Sequence, residues 1–576
     1  MYELMIGNYA IARGLVEAGV QIAAAYPGTP SSEILPGILE FSKRDNIKIY
    51  CEWSVNERVA FEVAFGAAMY GKNAACMMKQ VGLNVAFPSF LESIEKELSG
   101  GLVVVSCDDP GPQSSQTEQD TRMLCSLIGV TVFDPSSPRE AADVAYYALR
   151  LSRKIKKPVV IRPTHRVSHS REKVQIFDQG KRKVKLSEGL VNKGKTTNFG
   201  VVSSGMSFCL AMDVLQELGL KEKIPVFKVL RANPLDEKAF EFVTQIEKIL
   251  VLEETDAVVE AKLGFNGKVY GRLNGFLPGA GELTYDIVRN AIIEMCRLVN
   301  IEVPFKDDTK FEEVAKEIGV ASRPPKLCSG CPHRACFYAM KQAYPDALFP
   351  GDIGCYTLGI PLGAVDAFID MGGSVNMASG FYDAFSKEGK SVAILASVGD
   401  STFFHACLPA IYDAAKKNKK FILIIMDNNT TAMTGMQPTP QSGITASGEK
   451  TRSVTLEATL SALGIPNVKV VDPYEIPFLI QQIKDSYSAL PKNKGPSVII
   501  SRRECVLQTK AKWEKNIPLE QYCTGCRKCI RNFNCPSLEF DELKKRVRIN
   551  WDLCVRCGNC LFVCPEVSKS ERKIES

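Results

Sequence analysis

The chain has 576 residues, which is too long for a single core and predicts about four domains. Of these residues 45% are hydrophobic and 24% charged, a composition that excludes wholesale disorder. The net charge of +6, from 71 Lys and Arg against 65 Asp and Glu, is too small to indicate nucleic-acid binding. No apolar run approaches the roughly 18 residues that cross a bilayer, and the first residues lack the basic start and long apolar stretch of a secretory signal. We therefore expect a cytoplasmic protein that binds neither nucleic acid nor membrane.

Residues 1–185 alternate apolar runs with helical patterns, which predicts a parallel α/β sheet. The strand-like runs, in chain order, are QIAAAYPGT, NAACMMKQVG, GLVVVSCDD, GVTVFDPS and KPVVIRPT. Residues 56–70 carry apolar side chains at helical spacing and predict a helix. The basic, poorly apolar stretch 171–197 predicts a linker to the next domain.

Two further α/β regions and a cysteine-rich tail follow. Residues 196–305 contain the strand-like runs NFGVVSSG, KIPVFKVL and KILVLEE, and a charged segment that ends at Arg323 separates them from the third region. Residues 326–508 contain the strand-like runs SVAILASVG, KFILIIMDN and PSVII. The tail, residues 512–576, has little apolar sequence from which to build a core.

Cysteine is the informative residue type, because 8 of the 20 cysteines fall between Cys523 and Cys564. They form two CxxCxxC runs, each closed by Cys-Pro, which is the pattern of a bacterial two-cluster ferredoxin. Since the fourth ligand of each cluster comes from the other run, two [4Fe-4S] ligand sets are predicted: Cys523, Cys526, Cys529 and Cys564, and Cys554, Cys557, Cys560 and Cys535. The alternative is a pair of zinc sites, which usually have looser spacing and often histidine, and no histidine follows His405.

Two strand ends in the third region carry polar residues. Gly399-Asp400-Ser401 ends one apolar run, and Asn428 ends the next, about 28 residues later, as in thiamine diphosphate enzymes. Adjacent ends of parallel strands and the helix N-terminus between them form a crevice for phosphates. The Asp400 carboxylate, the Asn428 side-chain oxygen and the Thr430 carbonyl would give Mg²⁺ hard oxygen ligands. The alternative is an ordinary strand–helix–strand unit.

The sequence resembles the alpha subunit of the indolepyruvate ferredoxin oxidoreductase family, within the pyruvate/2-oxoacid:ferredoxin oxidoreductase superfamily. The resemblance covers essentially the whole chain through YPGTPSSE, EWSVNERVAFEVAFGAAMYG, KQVGLNV, CSGCPHR, GDIGCYTLG, GDSTFFH and DNNTTAMTG. It implies a multidomain α/β fold with a thiamine pyrimidine-binding domain (1–185), a transketolase C-terminal-like domain (196–305), a thiamine diphosphate- and Mg-binding domain (326–508) and a ferredoxin-like domain (512–576).

The resemblance also implies roles for residues in the first domain. Glu57 matches the family's carboxyl group that holds the thiamine aminopyrimidine in its active tautomer, with Glu52 and Glu62 as rivals. Thr29 matches the superfamily threonine near the substrate carboxylate; the alternative is a simple turn residue.

A third [4Fe-4S] cluster beside thiamine is implied by cysteines outside the tail. Those that correspond to the relatives' ligands are Cys328, Cys331, Cys355 and Cys505, although CPHR stands where the relatives have a CPGCG-like sequence. Cys336 and Cys407 fit buried thiols better. His405 and His333 lie beside the proposed sites and are candidates for proton transfer near the cofactor, although a lone histidine is more often structural.

The expected activity is oxidative decarboxylation of an aryl 2-oxo acid with coenzyme A, with electrons passed through the clusters to ferredoxin. By resemblance the enzyme needs a small beta subunit, as in an α2β2 hetero-oligomer. From residue 509 onward, 14 Lys and Arg against 9 Asp and Glu fit either a solvated face or attraction of an acidic ferredoxin. The alternatives are a non-oxidative thiamine-dependent decarboxylase and an electron-transfer subunit of another reductase.

Overall fold

The computed structural model describes residues 1–184, 186–264, 267–303, 310–319, 324–510, 512–515 and 517–567. The chain divides into two compact units, residues 1–318 and 319–576. The division into four domains stays a prediction; its limits at 185, 305 and 576, and Arg323, lie outside the described residues. Within the described ranges, no helix combines the length and the apolar character needed to cross a membrane.

A seven-stranded sheet forms the core of the first unit. Its strands are parallel except for the edge strand Arg231–Asn233, which pairs antiparallel with its neighbour. The spatial order is Arg231–Asn233, Thr131–Phe133, Val159–Ile161, Leu102–Cys107, Ala74–Lys79, Ile22–Ala25 and Tyr50–Trp53. The five apolar runs predicted as strands in residues 1–185 each contribute a strand to it.

Helices cover this sheet, as expected for a parallel α/β layer. They are Gly7–Ala18, Ile34–Arg44, Glu57–Met69, Gln80–Ser93, Thr121–Leu127, Pro138–Ile155 and His165–His169. The predicted helix over 56–70 is confirmed as Glu57–Met69. Its N-cap residue is Asn56, whose side-chain oxygen accepts a hydrogen bond from the Val59 amide at 2.9 Å.

The segment predicted as a linker, 171–197, contains two strands, so this prediction was wrong. Arg171–Gln175 pairs antiparallel with Tyr2–Ile6. Gly189–Asn192 is the edge of a five-stranded sheet, in the order Val269–Tyr270, Lys248–Leu252, Phe199–Ser204, Val226–Val229 and Gly189–Asn192. Edge strands need only one apolar face, and the helical and strand periodicity that locates central elements is weak in them.

The other helices of the first unit are Gly205–Glu217, Glu237–Gln245, Val258–Leu263, Tyr285–Leu298 and Lys310–Ile318. The first four alternate with the strands of the five-stranded sheet, in agreement with an α/β region. The three runs predicted as strands in 196–305 are confirmed as the strands that begin at Phe199, Val226 and Lys248.

The second unit is built on a four-stranded parallel sheet. Its spatial order is Leu395–Gly399, Ile422–Asp427, Ser497–Arg502 and Asn467–Val471. Its α-helices are Pro332–Ala343, Gly373–Lys387, Asp400–Thr402, Leu408–Lys416, Leu456–Ala462, Ile476–Ala489 and Val506–Thr509. The strand Asn467–Val471 was not predicted, because its residues are mostly half-buried and its apolar run is short.

Short elements complete the second unit. A hairpin of Leu538–Asp541 and Arg546–Ile549 lies in the cysteine-rich tail. The 3₁₀ helices are Cys355–Leu362, Pro518–Glu520 and Asn559–Val563, and the π-helical turns are Phe403–Cys407 and Cys529–Phe533. Turns of π-helix are rare in proteins, and those that occur often lie at functional sites.

Candidate active site and electron-transfer centres

Two carboxylates meet at the ends of neighbouring strands in the second unit. Gly399 pairs with Met426 in the parallel register, so Asp400, which follows the first strand, lies beside Asp427, which ends the second. Both are buried. The Asp427 carboxylate accepts hydrogen bonds from Arg502 Nε at 2.6 Å and Gln441 Nε2 at 3.0 Å. Burial, and next the negative charge of Asp427, raise the pKa of Asp400 well above its ordinary value.

The Asp400 carboxylate is only half satisfied by the protein. One oxygen accepts a hydrogen bond from the Ser401 amide at 2.8 Å, and the other, Oδ2, is buried without a partner among the described residues. A buried, unpaired carboxylate oxygen beside a second carboxylate is costly unless a cation compensates it. The donor set therefore fits a hard divalent cation such as Mg²⁺.

Asn428 and Thr430 form a tight turn after the second strand. The Thr430 amide donates to Asn428 Oδ1 at 3.2 Å, and both residues are buried. Asn428 Nδ2 lies 3.3 Å from His333 Nε2. Burial lowers the pKa of His333 to about 4, so its neutral ring can accept this hydrogen bond. His333 is thus a neighbour of a predicted cofactor residue and orients its amide.

Gly399 has no room for a side chain. A Cβ at this position would lie 2.0 Å from the Tyr356 hydroxyl oxygen, and the Tyr356 ring centroid is 5.1 Å from that of His333. The amides of Gly372 and Gly399 donate to the buried Asp352 carboxylate at 2.9 and 3.4 Å. Asp352 therefore holds the backbone at Gly372 and at Gly399 in place.

His405 lies in the π-helical turn that follows Asp400–Thr402, and its side chain is buried. Its expected part in proton transfer stays a prediction. Ser401 is half-buried at the start of the same segment, where its backbone amide binds the Asp400 carboxylate.

In the first unit, only one of the three candidate glutamates is buried. Glu57 is 5% exposed and begins the helix Glu57–Met69. Glu52 accepts hydrogen bonds from the Tyr50 and Ser54 hydroxyls at 2.8 and 2.6 Å. Glu62 is exposed and pairs with Arg58 at 2.8 Å. The environments of the two rivals are those of ordinary surface or strand-end carboxylates, which favours Glu57.

The Glu57 side chain lies against Gly82. A Cβ on Gly82 would lie 2.5 Å from both Cγ and Oε1 of Glu57. Gly82 stands in the first turn of the helix Gln80–Ser93, within the KQVGLNV segment. This glycine therefore gives the carboxyl group its space.

Lys79 is a residue that the sequence analysis missed. It ends the strand Ala74–Lys79, and a Cβ on Gly28 would lie 2.9 Å from Lys79 Cβ, so the lysine stem lies against the Gly28–Thr29 turn. Lys79 Nζ donates to the Ser114 carbonyl at 2.8 Å, and the Ser114 hydroxyl donates to the Thr29 carbonyl at 3.3 Å. The signal in the sequence was a cation at a strand end within a family motif, next to Gln80.

The ammonium group of Lys79 is incompletely satisfied. Among the described residues it makes one hydrogen bond and no ion pair, although an ammonium has three donors. Burial lowers the pKa of Lys79 to about 8, against the attraction of Asp109. Lys79 therefore places an ammonium group with unused hydrogen-bond donors beside Thr29.

The eight tail cysteines fall into two groups. Burial and three neighbouring sulfurs, those of Cys523, Cys564 and Cys526, raise the pKa of Cys529 to about 11. Burial and the sulfurs of Cys557, Cys535, Cys554 and Cys529 raise that of Cys560 well above its ordinary value. Apart from Cys529 beside Cys560, these neighbours are the members of the two predicted ligand sets, and the assignment of ligands to clusters stays a prediction.

One cavity holds all four cysteines of the second set. It is lined by Cys535, Cys554, Cys557 and Cys560, with Ser329 and Gly330 of the CSGCPHR segment on its wall. Backbone amides approach the thiols of both sets, since Val547 donates to Cys523 Sγ at 3.2 Å and Arg556 to Cys554 Sγ at 3.4 Å. An apolar, thiol-lined cavity with amide donors fits an iron–sulfur cluster.

Four cysteines outside the tail also gather. Cys328 and Cys505 lie close enough to Cys355 to raise the pKa of its thiol, and Cys355 does the same to Cys331. Burial is the first cause that raises the pKa of Cys331 and of Cys355 to about 12. Among the described residues, no three His, Cys, Asp or Glu side chains form a preformed group for a single metal ion.

This third set adjoins the strand-end site. The Cys505 amide donates to the Asn428 carbonyl at 3.3 Å. Tyr356 follows Cys355 and packs on Gly399, and His333, two residues after Cys331, contacts Asn428. The sequence could suggest these cysteines only by resemblance, because they are spread over almost 180 residues.

Three segments of the chain match known protein families. Residues 13–217 match "Pyruvate flavodoxin/ferredoxin oxidoreductase, thiamine diP-bdg", and residues 352–501 match "Thiamine pyrophosphate enzyme, C-terminal TPP binding domain". Residues 516–572 match a "4Fe-4S dicluster domain". Two thiamine-binding α/β regions and a dicluster module in one chain define a thiamine diphosphate-dependent 2-oxoacid oxidoreductase.

Similar proteins of known name identify the family within this class. "Indolepyruvate oxidoreductase subunit IorA" of Thermococcus kodakarensis is 36% identical over 98% of this chain and 96% of its own length. The protein of the same name from Archaeoglobus fulgidus is 35% identical over 97% and 96%. The chain therefore belongs to the indolepyruvate oxidoreductase IorA subunit family, as the sequence motifs predicted.

Among solved structures, 2-oxoglutarate:ferredoxin oxidoreductase from Magnetococcus marinus superposes on 51% of this chain and 65% of its own. The TM-score is 0.43 and the sequence identity 13%, which is too low a similarity to support a conclusion about this chain.

Proposed function

We propose that this chain, together with a small beta subunit, oxidatively decarboxylates aryl 2-oxo acids of the indolepyruvate type. Coenzyme A takes the acyl group, CO₂ is released, and two electrons leave one at a time through iron–sulfur clusters to ferredoxin. The proposed cofactors are thiamine diphosphate with Mg²⁺ and three [4Fe-4S] clusters. Thiamine diphosphate, when bound, provides the carbanion chemistry that decarboxylation requires.

The observation that carries this proposal is a continuous series of contacts in the second unit. Asn428 contacts the Cys505 backbone and His333, next to the third cysteine set. Ser329 and Gly330 of that set's loop line the cavity of the second tail set. Cys529 of the first tail set lies close enough to Cys560 of the second to raise the pKa of its thiol. An oxidative enzyme needs this route outward from the cofactor, whereas a non-oxidative decarboxylase does not.

The roles proposed for individual residues are those that the family resemblance implies. Asp400, Asn428 and Thr430 would bind Mg²⁺, and Gly399 and Ser401 would flank the diphosphate. Glu57 would hold the aminopyrimidine, and Thr29 would contact the substrate. A hetero-oligomer such as α2β2 and the docking of ferredoxin are parts of the same proposal. The relatives are named as subunits, which supports the need for a partner.

The test is an anaerobic assay of the chain with its partner subunit against a panel of aryl and alkyl 2-oxo acids. Reduction of ferredoxin or a viologen dye that depends on coenzyme A and is fastest with aryl acids is expected. Release of an aldehyde without dye reduction would instead identify a non-oxidative decarboxylase. Purified protein without bound thiamine diphosphate that still exchanges electrons would identify an electron-transfer subunit.

The space beside Glu57 provides a prediction. Gly82→Ala is expected to lower turnover by about 100-fold, the lower end of what positioned acid–base groups contribute, because the new Cβ displaces the Glu57 carboxyl group. Steady-state kinetics with the partner subunit measures the effect. The control is Gly66→Ala, where no atom lies within 4 Å; it should keep full turnover. Equal activity in both variants would argue against Glu57.

Lys79 provides a second prediction, since its spare donors suit a substrate carboxylate. Lys79→Met is expected to raise KM for the 2-oxo acid about 10- to 100-fold, equivalent to the 1.5–3 kcal/mol of a hydrogen bond to a charged group, with a smaller effect on kcat. The control is Lys72→Met, at an exposed position. An unchanged KM in Lys79→Met would exclude this role.

The same contact should depend on pH. Lys79 is a cation below its pKa of about 8 and neutral above it, while the nearby Asp109 stays negative throughout. KM of the wild-type enzyme should therefore rise as pH increases through about 8. Lys79→Arg keeps its charge and should keep a low KM at pH 9. A flat KM profile in the wild type would contradict the assignment.

A further inference from the structure

Arg334 joins two segments that carry cysteines of different sets. It lies in the first turn of the helix Pro332–Ala343 and is 2% exposed. Its guanidinium donates to the carbonyl oxygens of Leu327 and, at 3.3 Å, Cys328. It also donates to the carbonyl oxygens of Phe533 at 2.7 Å and Asn534 at 2.5 Å, just before Cys535.

No carboxylate compensates this buried charge within the described residues. Close to Arg334 are the sulfurs of Cys535, Cys331, Cys328 and Cys557, which belong to both sets. Its Nε–H is buried without a hydrogen-bond partner in the same ranges. A buried guanidinium without a carboxylate partner is costly, and cysteines that bind iron as thiolates would compensate its charge.

The two segments are held together by other contacts that do not carry charge. The Ser329 and Ser537 hydroxyls lie 2.6 Å apart, and Gly330 packs against Val555, since a Cβ on Gly330 would lie 2.4 Å from Val555 Cγ2. Loss of Arg334 would therefore remove the cation between the sets without removing every contact between the segments.

We propose that Arg334 is a positioning residue that fixes the spacing between the cluster held by Cys328, Cys331, Cys355 and Cys505 and the cluster held by Cys535, Cys554, Cys557 and Cys560, and that its charge raises their reduction potentials. This inference rests on the proposed presence of clusters at both sets. Each added electron makes a cluster more negative, so a fixed nearby cation favours the reduced form. Clusters kept at one spacing exchange electrons without rearrangement of the loops.

The experiment compares wild-type protein with Arg334→Leu and Arg334→Lys in dithionite titrations of the anaerobic holoprotein, followed by EPR. Arg334→Leu is expected to shift the potentials of both adjoining clusters downward, while the cluster of Cys523, Cys526, Cys529 and Cys564 stays unshifted. Arg334→Lys keeps the charge but cannot make four carbonyl contacts, so it should keep the potentials and slow electron transfer between the clusters.

Arg531→Leu is the matched control. Arg531 donates to the Cys526 carbonyl at 2.7 Å but is exposed, so solvent screens its charge and the potentials should not move. Unchanged potentials in Arg334→Leu would overturn the proposal. If Arg334→Leu loses iron, the lysine variant decides: normal transfer rates in it would equally overturn the positioning role.

This test separates the inference from the proposed activity. The titration needs neither 2-oxo acid nor coenzyme A, so a protein that turns over neither substrate can still show the potential shifts. If only the Cys535 cluster is detected by EPR and shifts, the part of the inference that concerns the third set is wrong.

Discussion

Replacement of Asp400 by alanine is expected to weaken binding of thiamine diphosphate and Mg²⁺ by more than about 100-fold, since loss of a metal ligand should exceed the 10- to 100-fold cost of losing a group behind one. The reason is that Asp400 contributes a buried oxygen, Oδ2, which accepts no hydrogen bond from the described residues. Loss of turnover with 2-oxo acids follows from loss of the cofactor. Calorimetry with thiamine diphosphate and Mg²⁺ measures the binding.

The control for this variant is Asp413→Ala. Asp413 lies on the helix Leu408–Lys416, where it forms an exposed ion pair with Lys417 at 2.7 Å, and exposed pairs stabilise proteins by at most about 1 kcal/mol. It should bind the cofactor normally. EPR signals of the tail clusters should be intact in both variants. Normal cofactor binding by Asp400→Ala would refute the metal site.

Replacement of Cys557 by serine is expected to abolish ferredoxin reduction almost completely. Cys557 lines the cavity with Cys535, Cys554 and Cys560, next to Ser329 and Gly330, so the cluster proposed there would lie between the other two proposed clusters. A serine oxygen is a poor ligand for iron in a cluster that thiolates normally hold. Decarboxylation in a single turnover should still occur, because the strand-end residues are unchanged.

Rapid-quench measurement of CO₂ and stopped-flow reduction of ferredoxin separate these two steps. Cys336→Ala is the control, because Cys336 is a buried thiol in the helix Pro332–Ala343 that no cysteine set includes. It should reduce ferredoxin at the normal rate. Normal ferredoxin reduction by Cys557→Ser would mean that the electron route is wrong.

Much of the fold could be predicted because central strands of parallel sheets are apolar on both faces. The runs that became Leu102–Cys107 and Ile422–Asp427 are continuous and fully buried, and turn residues mark their ends. The edge strands Arg171–Gln175 and Gly189–Asn192 are half-exposed, so their sequence resembled a linker. The error was therefore confined to segments in which burial leaves little periodicity.

The tail cysteines and the pair Asp400 and Asn428 could be proposed from sequence because cysteine spacing and strand order constrain their geometry. Three cysteines in a CxxCxxC run must surround one cluster, and residues after adjacent parallel strands must meet at one edge. The choice among Glu52, Glu57 and Glu62 had a different basis, since it relied on a family resemblance that the burial of Glu57 now supports.

The sequence by itself determined the class of chemistry, because cysteine spacing, strand-end polar residues and the family motifs are local properties of the chain. Only the tertiary structure decided which distant groups act on one another: Asp427 on Asp400, Lys79 beside Thr29, and Arg334 between Cys328 and Cys535. Such contacts join residues that are up to about 200 positions apart. Their energies come from burial and from the low dielectric of the interior, which no spacing in the sequence encodes.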